Sequence, residues 1–119
     1  MEQIDLVKLN KNRDLIKEVL EGKKKDVEVV GWVYNTRALG KIRFLLLRDI
    51  SGVIQITGVK EKIKENIFSL MSSVTKESVI YVRGSVKDSK PAPGGKDIIP
   101  EEIIEIAHAD ELPIDVSEF

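Results

Sequence analysis

DVEVVGWVYNTRALGKIRFLLLRDISGVIQIT, residues 26–57, is the stretch in which the side-chain period falls to two and stays there. Val27, Val29 and Val33 point one way along its first run, and Val30, Trp32 and Tyr34 point the other. That alternation is the pattern of a β-strand. Leu39-Gly40-Lys41 reads as a tight turn and Ile42 to Asp49 as a second strand. Ser51-Gly52 supplies a second turn, and Val53 to Thr57 a third strand. Consecutive strands with such short connections form a meander.

On the C-terminal side, Lys60 to Ser72 switches to helical spacing, with Ile63, Ile67, Leu70 and Met71 on one face and Lys and Glu on the other. Glu77 to Val86 returns to strand. Ser89 to Gly95 holds Pro91, Pro93, Gly94 and Gly95 and reads as a long, exposed loop. Ile98 to Ile106 supplies a fifth strand, entered through Pro100, which suits an edge or a bulge. Leu112-Pro113 begins an extended tail. On the N-terminal side, Asn12 to Gly22 reads as a short helix. Asn12 is its cap, Leu15, Ile16, Val19 and Leu20 its apolar stripe, and Gly22 lies just past its end. Lys23, Lys24 and Lys25 follow as a basic turn. The order β-β-β-α-β-β behind a leading helix is that of an all-β, five-stranded Greek-key barrel with a helix between strands three and four, the OB-fold. An open α+β sheet is the alternative, and strand count and helix position favour the barrel.

Composition narrows the function. The 119 residues, 42% of them hydrophobic, suit one domain with one core. Cysteine is absent, which removes disulfides, thiolate nucleophiles and cysteine-based zinc sites, and suits a cytoplasmic setting. No apolar run approaches the ~20 residues that a membrane helix needs. The start, with Glu2 and Asp5 in a mixed polar stretch, does not read as a signal peptide. A net charge of −1 argues against indiscriminate phosphate binding, though not against a small RNA-reading surface.

An OB-fold binds oligonucleotides on the face of strands two and three. Three residues map there with suitable chemistry. If Ile54 and Ile56 enter the core, the Gln55 amide faces out and can both donate and accept at a base edge. If Leu45 and Leu47 share that core, Phe44 turns outward as a stacking platform. Arg37, just before the first turn, can reach phosphate or stack on a base. Each has a plainer reading: core packing for Phe44, a solvated strand residue for Gln55, a surface charge for Arg37. Arg48-Asp49 reads as a structural ion pair at a strand end, and Trp32 and Tyr34 as a barrel flank or a cover for the N-terminal helix. Catalytic readings fare worse. The single histidine, His108, has no cysteine or second histidine to form a metal site or triad. Gly94-Gly95-Lys96 lacks the upstream glycine and following Ser/Thr of a P-loop. Glu101-Glu102, as strand neighbours, should face opposite ways and read as solubilising charge.

Gly31-Trp32-Val33, Arg37-Ala38-Leu39-Gly40, Phe44, Leu47-Arg48-Asp49, Gly52 and Gln55-Ile56 together resemble the N-terminal anticodon-binding domain of class IIb aminoacyl-tRNA synthetases, the enzymes for aspartate, asparagine and lysine. Lys76-Glu77-Ser78-Val79, Val82-Arg83-Gly84, Ile98-Ile99-Pro100 and the run from Ala109 to Asp115 are most similar to the archaeal and eukaryotic kind of aspartyl-tRNA synthetase. The resemblance covers residues 26 to 116. It implies that Phe44 stacks on a central anticodon uracil, that Gln55 hydrogen-bonds it, and that Arg37 contacts the anticodon loop. Asp97 falls where the family usually has a glutamate that reads an outer anticodon base. Tyr34 and Pro93 fall where the family separates strict readers of the aspartate tRNA (Trp and Lys) from relaxed readers that also take the asparagine tRNA (His and Pro). Proline fits the relaxed pattern, and tyrosine fits neither. The implied division is 1–25 as a helical extension, 26–110 as the anticodon-binding barrel, and 111–119 as the start of a hinge. The catalytic domain, with its ATP and magnesium, is implied to lie beyond the hinge in a parent chain that forms a homodimer. The chain then reads as an excised domain or a standalone paralogue, with no catalytic residue, metal or cofactor of its own. Its partners would be tRNA and that catalytic domain, and no membrane. The alternatives are the asparaginyl enzyme's domain, a standalone single-strand-binding module and a protein-interaction barrel.

Overall fold

A computed structural model describes residues 13–107. Its elements are α1 (Ile16–Glu21), β1 (Asp26–Leu39), β2 (Ile42–Arg48), β3 (Val53–Val59), α2 (Glu65–Ser73), β4 (Val79–Asp88) and β5 (Lys96–Ala107), with a 3₁₀ turn at Pro93–Gly95. The five strands close into a barrel in the order β1-β2-β3-β5-β4. All neighbours are antiparallel except β3 and β5, which pair in parallel through Gln55↔Asp97 and Ile56↔Ile98. This is the expected OB-fold and not an open sheet.

The alternation read along residues 26–57 places the core. Val27, Val29, Val33, Leu45, Leu47, Ile54, Ile56 and Ile98 are buried in one cluster. Each such side chain contributes about 1.5–3 kcal/mol relative to exposure. Ile16 and Val19 of α1 and Ile67 and Met71 of α2 join that cluster. Ile16 lies against Gly52, just before β3, whereas Met71 and Ile63 lie against Gly58 near the end of β3. The helices therefore seal opposite ends of the barrel. On the other side of β1, Val30 and Trp32 pack with Val79 and Tyr81, so Trp32 flanks the barrel away from the helices. Burial, with a 2.6 Å hydrogen bond donated to Glu28, raises the Tyr81 hydroxyl above the usual tyrosine range.

Several sequence expectations are corrected. The first helix starts at Ile16, with Leu15 at the cap position; Asn12, proposed as the cap, lies outside the described residues, as do His108 and the tail. Its free amides are capped from a distance: Ile16 N–H donates to Asp49 Oδ2 (2.9 Å) and Lys17 N–H to Ser51 Oγ (3.0 Å). Asp49, only 2% exposed, also accepts from Ser51 and Gly52. It is therefore a turn and helix cap, and no ion pair joins it to Arg48 among the described residues. The second helix begins at Glu65 and not at Lys60. The 89–95 stretch is an organised turn with Ala92 buried, because Ser89 N–H donates to the Gly95 carbonyl (2.8 Å) and Gly95 N–H to that of Ala92 (2.9 Å). Pro100 sits beside a register shift between Arg83 and Gly84, so its bulge reading holds. That bulge brings both Glu101 (3.1 Å) and Glu102 (3.6 Å) onto Arg83, where strict alternation would have parted them.

Candidate nucleic-acid interface

The register builds the interface as two rows on the outer face. Arg37 on β1 stands opposite Phe44 on β2, which stands opposite Thr57 on β3. In the next row, Asn35 faces Leu46, Leu46 faces Gln55, and Gln55 faces Asp97 on β5. Both rows face outward because their strand neighbours Leu45, Ile54, Ile56 and Ile98 are at most 1% exposed and fill the core. Side chains directly opposite are about 4.5–5.5 Å apart at Cβ and diagonal ones about 7–8 Å, so a base on the Phe44 ring has its edge within reach of Gln55.

The side chains are held, not free. The Arg37 guanidinium carbon lies 4.7 Å from the Phe44 ring centroid and covers one of its faces. The other face of the ring is left for stacking, and the guanidinium plane is itself a stacking surface. Gln55 Nε2 donates to Thr57 Oγ1 at 3.3 Å, and Thr57 Oγ1 donates to Asp97 Oδ2 at 2.8 Å. Asp97 is 8% exposed, and its carboxylate holds the row at its β5 end.

Arg37, Phe44, Gln55 and Asp97 are thus brought together, with Phe44 half-buried on the outer face and outside the core cluster. Tyr34 lies apart from them, and Pro93 lies in the turn that leads into β5, four residues before Asp97. Tyr34 is 48% exposed, at the register shift between Val33 and Asn35, where the Arg48 guanidinium lies 5.8 Å from its ring and 5.4 Å from that of Trp32. Along β2, Arg48 is four residues from Phe44, about 13 Å at strand rise. Pro93 is exposed and opens the 3₁₀ turn before β5; Gly94, at φ +76°, continues it in the left-handed region that favours glycine. Lys96 donates to the Val19 and Gly22 carbonyls at the end of α1. Thr57 was missed by sequence reasoning, although its phase, two residues beyond Gln55, is the signal that would have found it. Leu46, between Phe44 and Arg48 in the same phase, was missed with it.

A closed five-stranded barrel in the order β1-β2-β3-β5-β4, with an aromatic ring, an amide and a guanidinium side by side on its outer face, is an OB-fold. Residues 27–106 match the family described as "OB-fold nucleic acid binding domain". The chain is 48% identical over 92 residues to an aspartate–tRNA(Asp/Asn) ligase of Methanoculleus marisnigri, covering 76% of this chain and 21% of that protein. To the aspartate–tRNA(Asp/Asn) ligase of Archaeoglobus fulgidus it is 42% identical over 104 residues, covering 87% of this chain and 24% of that protein. The asparaginyl-tRNA synthetase of Pyrococcus horikoshii, solved with asparaginyl-adenylate, superposes with a TM-score of 0.73 at 34% identity, over 89% of this chain and 25% of that one. The chain belongs to the OB-fold nucleic-acid-binding family, and within it to the anticodon-binding domains of class IIb aminoacyl-tRNA synthetases. It spans between a fifth and a quarter of the length of these relatives.

Proposed function

We propose that this chain reads a tRNA anticodon loop with a central uracil, as the non-catalytic domain of an aspartate–tRNA ligase that accepts both the aspartate and the asparagine tRNA. The observation that carries the reading is the pair of outward rows, in which the Phe44 ring offers a π face and the diagonal Gln55 amide a hydrogen-bonding edge. Single-stranded RNA is recognised by that combination, with an unstacked base laid on an aromatic and read along its Watson–Crick edge. Phe44 then stacks on the central base, Gln55 reads it, and Arg37 steadies the loop. ATP and magnesium belong to a catalytic part outside this chain, and the parent enzyme is a cytoplasmic homodimer.

The relaxed choice of tRNA is supported from two sides. Both ligases above are described as acting on tRNA(Asp/Asn). In this chain Asp97 is turned onto Thr57, which leaves it little reach for an outer base, and Pro93 brings neither a charge nor a backbone N–H to the loop. The likeness to the asparaginyl enzyme favours a second reading, a domain of that enzyme. Titration of anticodon stem-loops carrying GUC and GUU, beside an unrelated single strand at one salt concentration, tests the proposal. GUC and GUU loops are expected to bind within about tenfold of each other, ~1.4 kcal/mol, and both well above the unrelated strand. Equal binding of the unrelated strand removes anticodon reading. A GUC preference far above tenfold removes the relaxed choice, and a GUU preference of that size favours the asparaginyl reading.

A further inference from the structure

We infer that Thr57 and Asp97 form a hydrogen-bond relay that fixes which end of the Gln55 amide faces the central base, making Thr57 a positioning residue for uracil over cytosine. The inference rests on the proposed reading of Gln55 as the base-edge contact, and deepens it.

The direction of the relay follows from its deepest member. A carboxylate only accepts, so the Thr57 hydroxyl proton is committed to Asp97 Oδ2, 2.8 Å away. The Thr57 oxygen can then only accept from its other neighbour, and the Gln55 end that can donate is Nε2, at 3.3 Å. Rotating the amide by half a turn would set Oε1 against the Thr57 oxygen with no proton between them. Turning the Thr57 proton round to repair that contact would strip a carboxylate oxygen of Asp97, a residue only 8% exposed, of its donor. The tether therefore pins the Nε2 end on Thr57 with one of its two hydrogens and leaves the Gln55 carbonyl at the opposite end.

A carbonyl at that place selects between pyrimidines. With the base held on the Phe44 ring, the group opposite ring position N3 decides the fit. Uracil carries N3–H, which donates to the carbonyl, whereas cytosine carries a bare N3 that a carbonyl oxygen repels. An amide free to rotate would present its NH₂ to cytosine instead and lose the distinction. Thr57 touches no base in this scheme and acts through Gln55.

The test uses the full chain and two anticodon stem-loops that differ only in U or C at the central position, titrated against the wild type, Thr57→Val, Thr57→Ser and Asp97→Asn. Circular dichroism and melting of each variant report its folding. The wild type is expected to favour the uracil loop by roughly 10- to 100-fold, the range of one well-made base-edge contact. Thr57→Val, which keeps the shape and loses the hydroxyl, should bring the two loops within about threefold. Thr57→Ser should restore the preference. Asp97→Asn can donate to Thr57 as well as accept, which releases the direction of the relay, so its preference should fall too. A Thr57→Val chain that binds both loops more weakly at the wild-type ratio would overturn the inference, and so would an Asp97→Asn chain of unchanged ratio. A wild-type chain that binds an unrelated strand as well as either loop would overturn the functional reading first, and the inference with it.

Discussion

Phe44 gains its place from its neighbours, since Leu45 and Leu47 go inward and are at most 1% exposed, and the ring between them has only the outer face to occupy. Truncating it opens no cavity in the main core. Phe44→Ala is expected to cost roughly 1–3 kcal/mol of stem-loop binding, the worth of one base–aromatic stack. The accompanying loss of stability should stay near the 0.5–1 kcal/mol of an exposed cation–π pair with Arg37. Paired titration and urea unfolding separate the two quantities, and equal losses in both would make the ring a packing residue. Phe44 and Gln55 were legible in the sequence because a period of two assigns faces without any knowledge of partners. Thr57 stands in the same phase, yet its part in the interface depends on β5 arriving beside β3 with Asp97 in register, a pairing across forty residues that no local pattern carries. Tyr34 was legible as a companion of Trp32 on one face, and both rings lie near Arg48, but the register shift at Val33/Asn35 was not, because it depends on the pairing with β2.

The first helix shows how far an element can be from deciding its own limits. Its six residues are too few to be stable alone, since isolated helices shorter than ~12–15 residues are marginal in water. Its apolar stripe was legible, but its start was not, because the groups that terminate it come from the turn between β2 and β3. Asp49 accepts from Ile16 N–H, Ser51 N–H, Ser51 Oγ and Gly52 N–H, so one carboxylate ties the helix and the turn together. Asp49→Ala is expected to lower the unfolding free energy by about 2–4 kcal/mol, combining a lost cap with lost bonds to a charged acceptor. Asp49→Asn, which keeps one acceptor oxygen, should fall between. Urea denaturation monitored by circular dichroism measures both. A cost below ~0.5 kcal/mol would mean that Ile16 and Val19 hold the helix by burial alone. The same logic explains Glu101 and Glu102, whose shared approach to Arg83 comes from a bulge and not from the strand's period.

For the molecule as a whole, a net charge of −1 leaves little long-range attraction for RNA, so the proposed recognition rests on a few directed contacts on one face of the barrel. That face straddles the join between β3 and β5. The two strands meet there over only Gln55↔Asp97 and Ile56↔Ile98, whereas β4 runs beside β5 from Val79↔Ala107 to Asp88↔Lys96. A barrel breathes where fewest ladder bonds must break together. Amide protons of β3 and β5 around this join should therefore exchange with deuterated solvent sooner than those at the centre of β1 and β4. A nucleotide seated over Phe44 and Gln55 would restrain Thr57 and, through it, Asp97 on the far side of the join, acting as a clasp across the gap. Saturation with the anticodon stem-loop is thus expected to slow exchange at Ile56 and Ile98, two core residues that the RNA does not touch. Slowing confined to β2, with these two amides unchanged, would show that the clasp does not form.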